Sequence, residues 1–245
     1  MGEQAKLLVY VNPLCMPSLD EAIRPHGLHG PGDAAFGILR DAVACDDPIE
    51  VIRNRYHDIS GIAARLPVAP MCDVIMDHVI RPLKEAIHCY VLGMPVVCIA
   101  QAGLVGEMVA LWRFRMLEPV FDGKPWDERL QRLFLGRRFD ELGQARRVDV
   151  LKAIDTLDED TVEAFDRLRL IRNRYLHNMV EPQRDIDADA RDSLQHAATL
   201  VVRSLDMSFR DGCVILPPKV IRYIDGIEHA DSADPITRGV KGVDS

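Results

Sequence analysis

The stretch VLGMPVVCIAQAGLVGEMVALW, residues 91–112, decides between two kinds of fold. It is nearly long enough to cross a bilayer as a helix, which takes about 20 apolar residues. Pro95, Gln101 and Glu107 interrupt it, and an acidic side chain in mid-membrane costs about 3 kcal/mol. We therefore predict a core helix of a soluble protein. A membrane-associated helix is an alternative that rests on length alone.

Long helices with apolar stripes are predicted on both sides of this segment. Apolar residues recur at three- and four-residue steps over 72–92, 95–118, 160–177 and 186–207, and Pro82 predicts a kink in the first of these helices. Four such helices joined by short connections pack antiparallel. The expected fold class is all-α, an antiparallel up-and-down helical bundle.

This pattern divides the chain into three parts. Residues 1–70 form an N-terminal extension of mixed loop and helix, residues 71–207 form the bundle, and residues 208–245 form a C-terminal appendage. The appendage ends in a polar tail that we expect to be loosely ordered.

Local signals predict several shorter elements. The apolar, β-type composition of residues 6–11 favours a strand. Asp47 and Pro48 are a helix-start signal, because Asp can cap and Pro suits the first helical position. Asp160 is the expected cap of the third long helix. The predicted elements are a strand at 6–11 and helices at 34–44, 48–66, 127–142 and 145–157.

Composition and charge exclude some classes of function. Hydrophobic residues make up 48% and charged residues 28% of the 245 residues, which is typical of a globular protein. The formal net charge of -8 argues against a non-specific nucleic-acid binder, so any contact with nucleic acid must be local. The six cysteines form no C-x-x-C pair and no signal peptide opens the chain, so we expect a cytoplasmic protein.

The run LRLIRNRYLHN at residues 168–178 concentrates polar groups at the end of the third long helix. At about 100° per residue, Asn173 shares a face with both Arg169 and His177. Arg172 lies about 140° from His177 on an ideal helix, but its long side chain can reach round to the imidazole. These residues provide fixed positive charge and a proton carrier that titrates near neutrality.

Such a set of groups suits cleavage of the RNA backbone. The 2′-hydroxyl must lose a proton, the leaving 5′-oxygen must gain one, and the phosphorane between them needs charge stabilisation. Histidine can do the first two, and the planar fork of arginine can do the third without a metal. The ordinary alternative is a solvated helix face, with arginines paired to Glu163 and Asp166 and a histidine favoured by the helix C-terminus.

The segment RNRYLH, residues 172–177, resembles the R-polar-x-x-x-H motif of the HEPN helical-bundle ribonucleases. The context is also similar to that family. HCYVLGMPVVCIAQAGLVGEMVALW, residues 88–112, provides a helix, a glycine at the turn, and a second helix of small residues with an acidic residue near its middle. The resemblance covers about residues 71–207.

The resemblance implies a mechanism and an assembly. HEPN proteins are mostly dimers in which two motifs face one another across a cleft, and active members are metal-independent endoribonucleases that act as toxins or antiviral effectors. By analogy, His177 is the general acid/base, Arg172 stabilises the phosphate, Asn173 orients the site and Glu107 supports it. The expected RNA-binding residues are Arg169, Arg174 and Tyr175.

One position departs from a subgroup of the family. Members paired with a nucleotidyltransferase antitoxin have a tyrosine two places after the histidine, where this chain has Met179. An antitoxin or another defence protein remains a possible partner. Many HEPN members are inactive, so the alternative function is a non-catalytic helical module that binds a protein or a nucleotide.

Three other features need an explanation. IRNRYHD, residues 52–58, repeats the RNRY tetrad and forms a second phosphate site, an accessory wall of the first site or a charged helix face. His26, His29 and Asp33 suggest a metal site, but no fourth ligand stands out, and we expect neither metal nor cofactor. A basic cluster that either guides RNA or forms a solvated face contains Arg129, Arg132, Arg137, Arg138, Arg146 and Arg147.

Overall fold

The computed structural model describes residues 9–11, 14, 48–121, 123–154, 157–176, 185–210 and 213–232. These residues are mostly helical, which confirms the all-α prediction. The helices are α1 (Pro48–Ala64), α2 (Asp73–Ile75), α3 (Arg81–Val91), α4 (Pro95–Leu117), α5 (Glu128–Leu135), α6 (Gln144–Ala153), α7 (Glu159–Leu176), α8 (Ile186–Leu205) and α9 (Pro218–Ser232). Short antiparallel strand pairs are formed by β1 (Val9–Val11) with β2 (Val68–Pro70), β3 (Val120–Phe121) with β4 (Lys124–Pro125), and β5 (Ser208–Arg210) with β6 (Cys213–Ile215).

Helix α4 is the centre of the bundle, packed against α3, α7 and α8. Its inner face is fully buried and rich in small residues such as Ala102 and Gly106, which let the neighbouring helices approach closely. By length and composition α4 could cross a membrane, but 50% of its most apolar window is buried within the fold. That burial is compatible with the predicted core helix.

A π-helical turn, Met76–Ile80, joins α2 to α3 without a loop. The N–H of Arg81 bonds to the carbonyl of Met76, five residues back. Pro82 follows immediately, and a proline inside a helix has no N–H and crowds the carbonyl four residues before it. The kink predicted at Pro82 therefore takes the form of a wider turn just before it.

Two predictions between α4 and α8 were wrong. The helix expected over 127–142 ends at Leu135, because Gly136 adopts a left-handed φ of 77° and its N–H bonds to the carbonyl of Arg132 at 3.0 Å. A short 3-10 turn, Phe139–Glu141, follows it. At the start of α7, Asp158 rather than Asp160 accepts the hydrogen bond of a first-turn amide, that of Thr161, at 2.7 Å.

The described parts of the extensions pack onto the bundle. Strand β1 confirms the β-type prediction over 9–11, α1 begins at the predicted Pro48, and α1 packs against α3 and α8. Helix α9 packs against α4. The helix predicted at 34–44 and the polar tail beyond 232 lie outside the described residues.

Candidate active site

Arg172, near the end of α7, crosses the middle of α4 at Gly103. A Cβ atom built on Gly103 would lie 2.5 Å from Cδ of Arg172 and 3.2 Å from its Cγ. These distances are shorter than ordinary van der Waals contact, so only glycine leaves room for the alkyl part of the arginine. The backbone of α4 is thus the surface on which this side chain rests.

Glu107 lies one helical turn beyond Gly103 and meets the guanidinium of the same arginine. Nη1 of Arg172 donates a hydrogen bond to Oε1 of Glu107. On the other side, Nη1 of Arg147 in α6 lies 4.0 Å from Oε2 of Glu107. The carboxylate therefore lies between two guanidinium groups, and the three side chains together carry one net positive charge.

Burial differs among these three side chains. The exposed fraction is 9% for Arg147, 19% for Arg172 and 30% for Glu107. Arg147 donates from Nε to the carbonyl of Phe139 at 3.2 Å and from Nη2 to that of Asp140 at 2.6 Å. Burial lowers the pKa of Arg147 from its ordinary value, and the charge of Glu107 opposes that shift. Arg147 is therefore a fixed, inner cation behind the carboxylate.

Gln144, at the start of α6, adds an uncharged polar group beside this cluster. It is 6% exposed, and its amide nitrogen lies 2.9 Å from the position a Cβ of Gly106 would take. Neither its amide nitrogen nor its amide oxygen has a hydrogen-bond partner among the described residues. The interior next to Glu107 is therefore polar, in a bundle whose other core residues are mainly apolar.

Asp189 of α8 binds the last turn of α7. Its Oδ2 accepts hydrogen bonds from Nη1 of Arg174 at 2.8 Å and from the hydroxyl of Tyr175 at 2.6 Å. Burial raises the pKa of Tyr175 to about 12, and the bond to Asp189 acts in the same direction. This clamp joins the helices on both sides of the segment 177–184, which contains His177 and lies outside the described residues.

The structure therefore sorts the predicted site residues into separate groups. Arg172 meets Glu107, whereas Arg174 and Tyr175 meet Asp189. Arg169 pairs with Asp166 at 3.1 Å, as expected if this part of α7 is a solvated helix face. Asn173 is partly exposed. The catalytic and RNA-binding roles of these residues stay predictions.

The chain matches no family model, and no curated protein or solved structure matches it significantly. The HEPN resemblance therefore rests on the motif and on the helices of residues 71–207. Among the described residues, no group of three or more His, Cys, Asp or Glu side chains could hold a metal ion. The loop residues His26, His29 and Asp33 lie outside the described ranges.

The second RNRY tetrad lies elsewhere. Arg55 of α1 pairs with Asp187 of α8 at 3.5 Å and fills the space above Gly93, where a Cβ would overlap its guanidinium. Asp187 and Asp189 are two residues apart on one helix and so point in different directions. The two tetrads thus approach α8 from different sides. The idea that the tetrad at residues 53–56 forms a wall of the Arg172 site therefore gains no support.

The basic cluster is also divided. Arg138 is bound by Glu128, Asp140 and Glu141, and Arg147 is buried. An arginine that guides RNA must be exposed at the surface. The exposed members of the cluster are Arg129, Arg132, Arg137 and Arg146.

Sequence reasoning named Glu107 as a supporting residue, but it missed Gly103, Arg147 and Asp189. Gly103 and Glu107 are four residues apart, so their shared helix face was available as a signal. Nothing local indicated Arg147 or Asp189, because each meets its partner only after the helices pack.

Proposed function

We propose that this protein is a metal-independent endoribonuclease of HEPN type that cleaves RNA by attack of the 2′-hydroxyl. The observation that carries the proposal is the fixed placement of Arg172. Its alkyl part lies on Gly103 and its guanidinium is bound by Glu107, five residues before His177. A side chain held in this way loses little freedom when it meets a substrate, which favours catalysis.

The charge of the cluster supports a role with phosphate. Glu107 neutralises one of the two arginines, so one positive charge remains for an anion. A guanidinium has five N–H donors, and a single bond to Glu107 leaves donors for a phosphate oxygen. In this mechanism Arg172 stabilises the charge that develops on the phosphorane.

His177 supplies the proton transfers in this proposal. It removes the proton of the attacking 2′-hydroxyl and returns a proton to the leaving 5′-oxygen. Asp189 supports this role indirectly, because it fixes Arg174 and Tyr175, three and two residues before the histidine in the chain. Asn173 orients the scissile group.

We further propose that two copies form a homodimer with their motifs opposite one another. Exposed apolar side chains on α4 and α7, the two helices that meet at Arg172, support this assembly: Val97 is 44% exposed, Leu104 39% and Leu176 41%. Burial of such residues in an interface would stabilise a dimer. The role as a toxin or antiviral effector, and any antitoxin partner, follow from the family resemblance.

The test is cleavage of RNA in the presence of EDTA. Wild type should yield fragments with 2′,3′-cyclic phosphate ends, and His177→Ala should abolish cleavage while dimerisation and helix content stay unchanged. His57→Ala is the matched control, since His57 follows the other RNRY tetrad and is exposed. Full activity of His177→Ala, or loss of activity in His57→Ala alone, would refute the assignment.

A second candidate function is a non-catalytic helical module that binds a protein or a nucleotide. The observation in its favour is that Arg172, Arg174 and Tyr175 all make contacts within the chain, as residues with a purely structural role would. In that case the wild-type protein cleaves no RNA under any condition, and the only effect of Glu107→Gln is on stability.

A further inference from the structure

A cavity of about 170 Å³ lies between the π-helical turn, α4 and α9. Its walls include His78 of the π-helical turn, Met108, Leu111, Trp112 and Arg115 of α4, and Tyr223 of α9. None of these residues belongs to the Arg172 cluster. The cavity is therefore a separate feature, and an inference about it does not depend on the proposed nuclease activity.

The inner part of the cavity suits an aromatic ring. Met108, Leu111 and Trp112 provide apolar surface, and Trp112 meets Tyr223 edge-on with ring centroids 6.4 Å apart. An apolar protein cavity of about 150 Å³ is large enough to bind benzene. The volume here therefore fits one six-membered ring with a small substituent and is too small to enclose a whole nucleotide.

Trp112 also supplies an unpaired hydrogen-bond donor. The residue is 4% exposed, and its Nε1–H has no hydrogen-bond partner among the described residues. Buried indole N–H groups usually have a partner, because leaving one unpaired costs free energy. The nitrogen itself is fully buried, so a ligand in the cavity packs against the indole ring and not against this N–H.

The basic residues of the cavity favour an anion. Arg115 and His78 both line it and are exposed residues, and the described residues of its wall include no acidic side chain. Tyr223 lines the same cavity, and burial raises the pKa of its hydroxyl while the nearby charge of Arg115 opposes that shift. The neighbouring cavity beside Phe114 is also lined by Arg115, but its wall includes the acidic residues Glu128 and Asp140.

We propose that this cavity binds a small aromatic carboxylate. The ring packs on Met108, Leu111 and Trp112, and the carboxylate binds Arg115. No covalent step is involved. The proposal makes Arg115 the residue that distinguishes an acid from its neutral amide.

The test uses benzoate and benzamide, which have the same shape and differ in charge. The chain has two tryptophans, so its ¹H–¹⁵N spectrum contains two indole signals, and Trp126→Phe assigns them. At constant ionic strength, benzoate at concentrations up to about 20 mM should shift the Trp112 signal, and the shift should saturate. Ligands of this size bind in that concentration range. Benzamide should bind about fivefold more weakly, the upper range for an exposed ion pair.

Variants of two arginines complete the test. Arg115→Gln should weaken benzoate binding to the level of benzamide, whereas Arg146→Gln, an exposed arginine outside the cavity, should leave it unchanged. An unmoved Trp112 signal in wild type would overturn the proposal. So would equal binding of benzoate and benzamide, a comparison that needs no variant to fold.

Discussion

Gly103→Ala tests the central contact of the candidate active site. The added Cβ would lie 2.5 Å from Cδ of Arg172, and ordinary contact begins at 3.4 Å, so the arginine must move by about 0.9 Å. Its guanidinium is bound to Glu107, so the movement must stretch or break that ion pair. A displacement of about 1 Å can reduce the rate of a positioned reaction about 100-fold.

The effect on stability is smaller, because two contributions oppose each other. Overpacking costs about 1–3 kcal/mol, while alanine is favoured over glycine inside a helix by about 1 kcal/mol. We therefore expect the free energy of unfolding to fall by about 0–2 kcal/mol, measured by urea denaturation. The rate of RNA cleavage in EDTA should fall far more than this loss of stability explains.

Gly61→Ala is the matched control for the same substitution. Gly61 lies in α1, and a Cβ built there meets nothing within 4 Å. This variant should gain up to about 1 kcal/mol of stability and keep its cleavage rate. If Gly103→Ala were stabilised to the same extent and cleaved RNA at the wild-type rate, the packing of Arg172 on Gly103 would have no role in catalysis.

Three further predictions concern the charged contacts. Asp189→Asn should lower the free energy of unfolding, measured in urea, by about 1–3 kcal/mol, because Asp189 binds two partners and is 19% exposed. The control Asp187→Asn, at a position that is 49% exposed, should lower it by less than about 1 kcal/mol, and equal losses would contradict the clamp. Glu107→Gln should lower the free energy of unfolding by about 1–2 kcal/mol. The control Glu163→Gln, at a position that is 65% exposed, should lower it by less than about 0.5 kcal/mol, and the reverse order would disprove the bridging role of Glu107. The pKa of Tyr175 is raised from 10.0 to about 12, so its contribution to stability is present below pH 10 and is lost as pH rises toward 12. In thermal denaturation, Tyr175→Phe should lose less stability than wild type over that pH range, and an equal loss would refute this.

Much of the secondary structure was predictable, because its signals act between near neighbours. Proline at the start and apolar content predicted α4 over 95–118, and the helix spans Pro95–Leu117. The same signals failed at Gly136, where a single glycine ended a helix that the apolar pattern alone would continue. The cap of α7 was misplaced by two residues, because Asp158 and Asp160 are both suitable caps and only the backbone geometry selects one.

By itself the sequence determined the bundle's long helices and the position of the RNRYLH motif at a helix end. Both follow from the periodicity of apolar residues and from the local rules of helix termini. The tertiary structure alone decided which side chains meet: Arg172 with Glu107, 65 residues away, and Arg174 and Tyr175 with Asp189. The physical reason is that contacts between helices depend on how each helix is rotated and how closely it approaches its neighbour. Here a glycine at position 103 permits the close approach that places an arginine against a carboxylate.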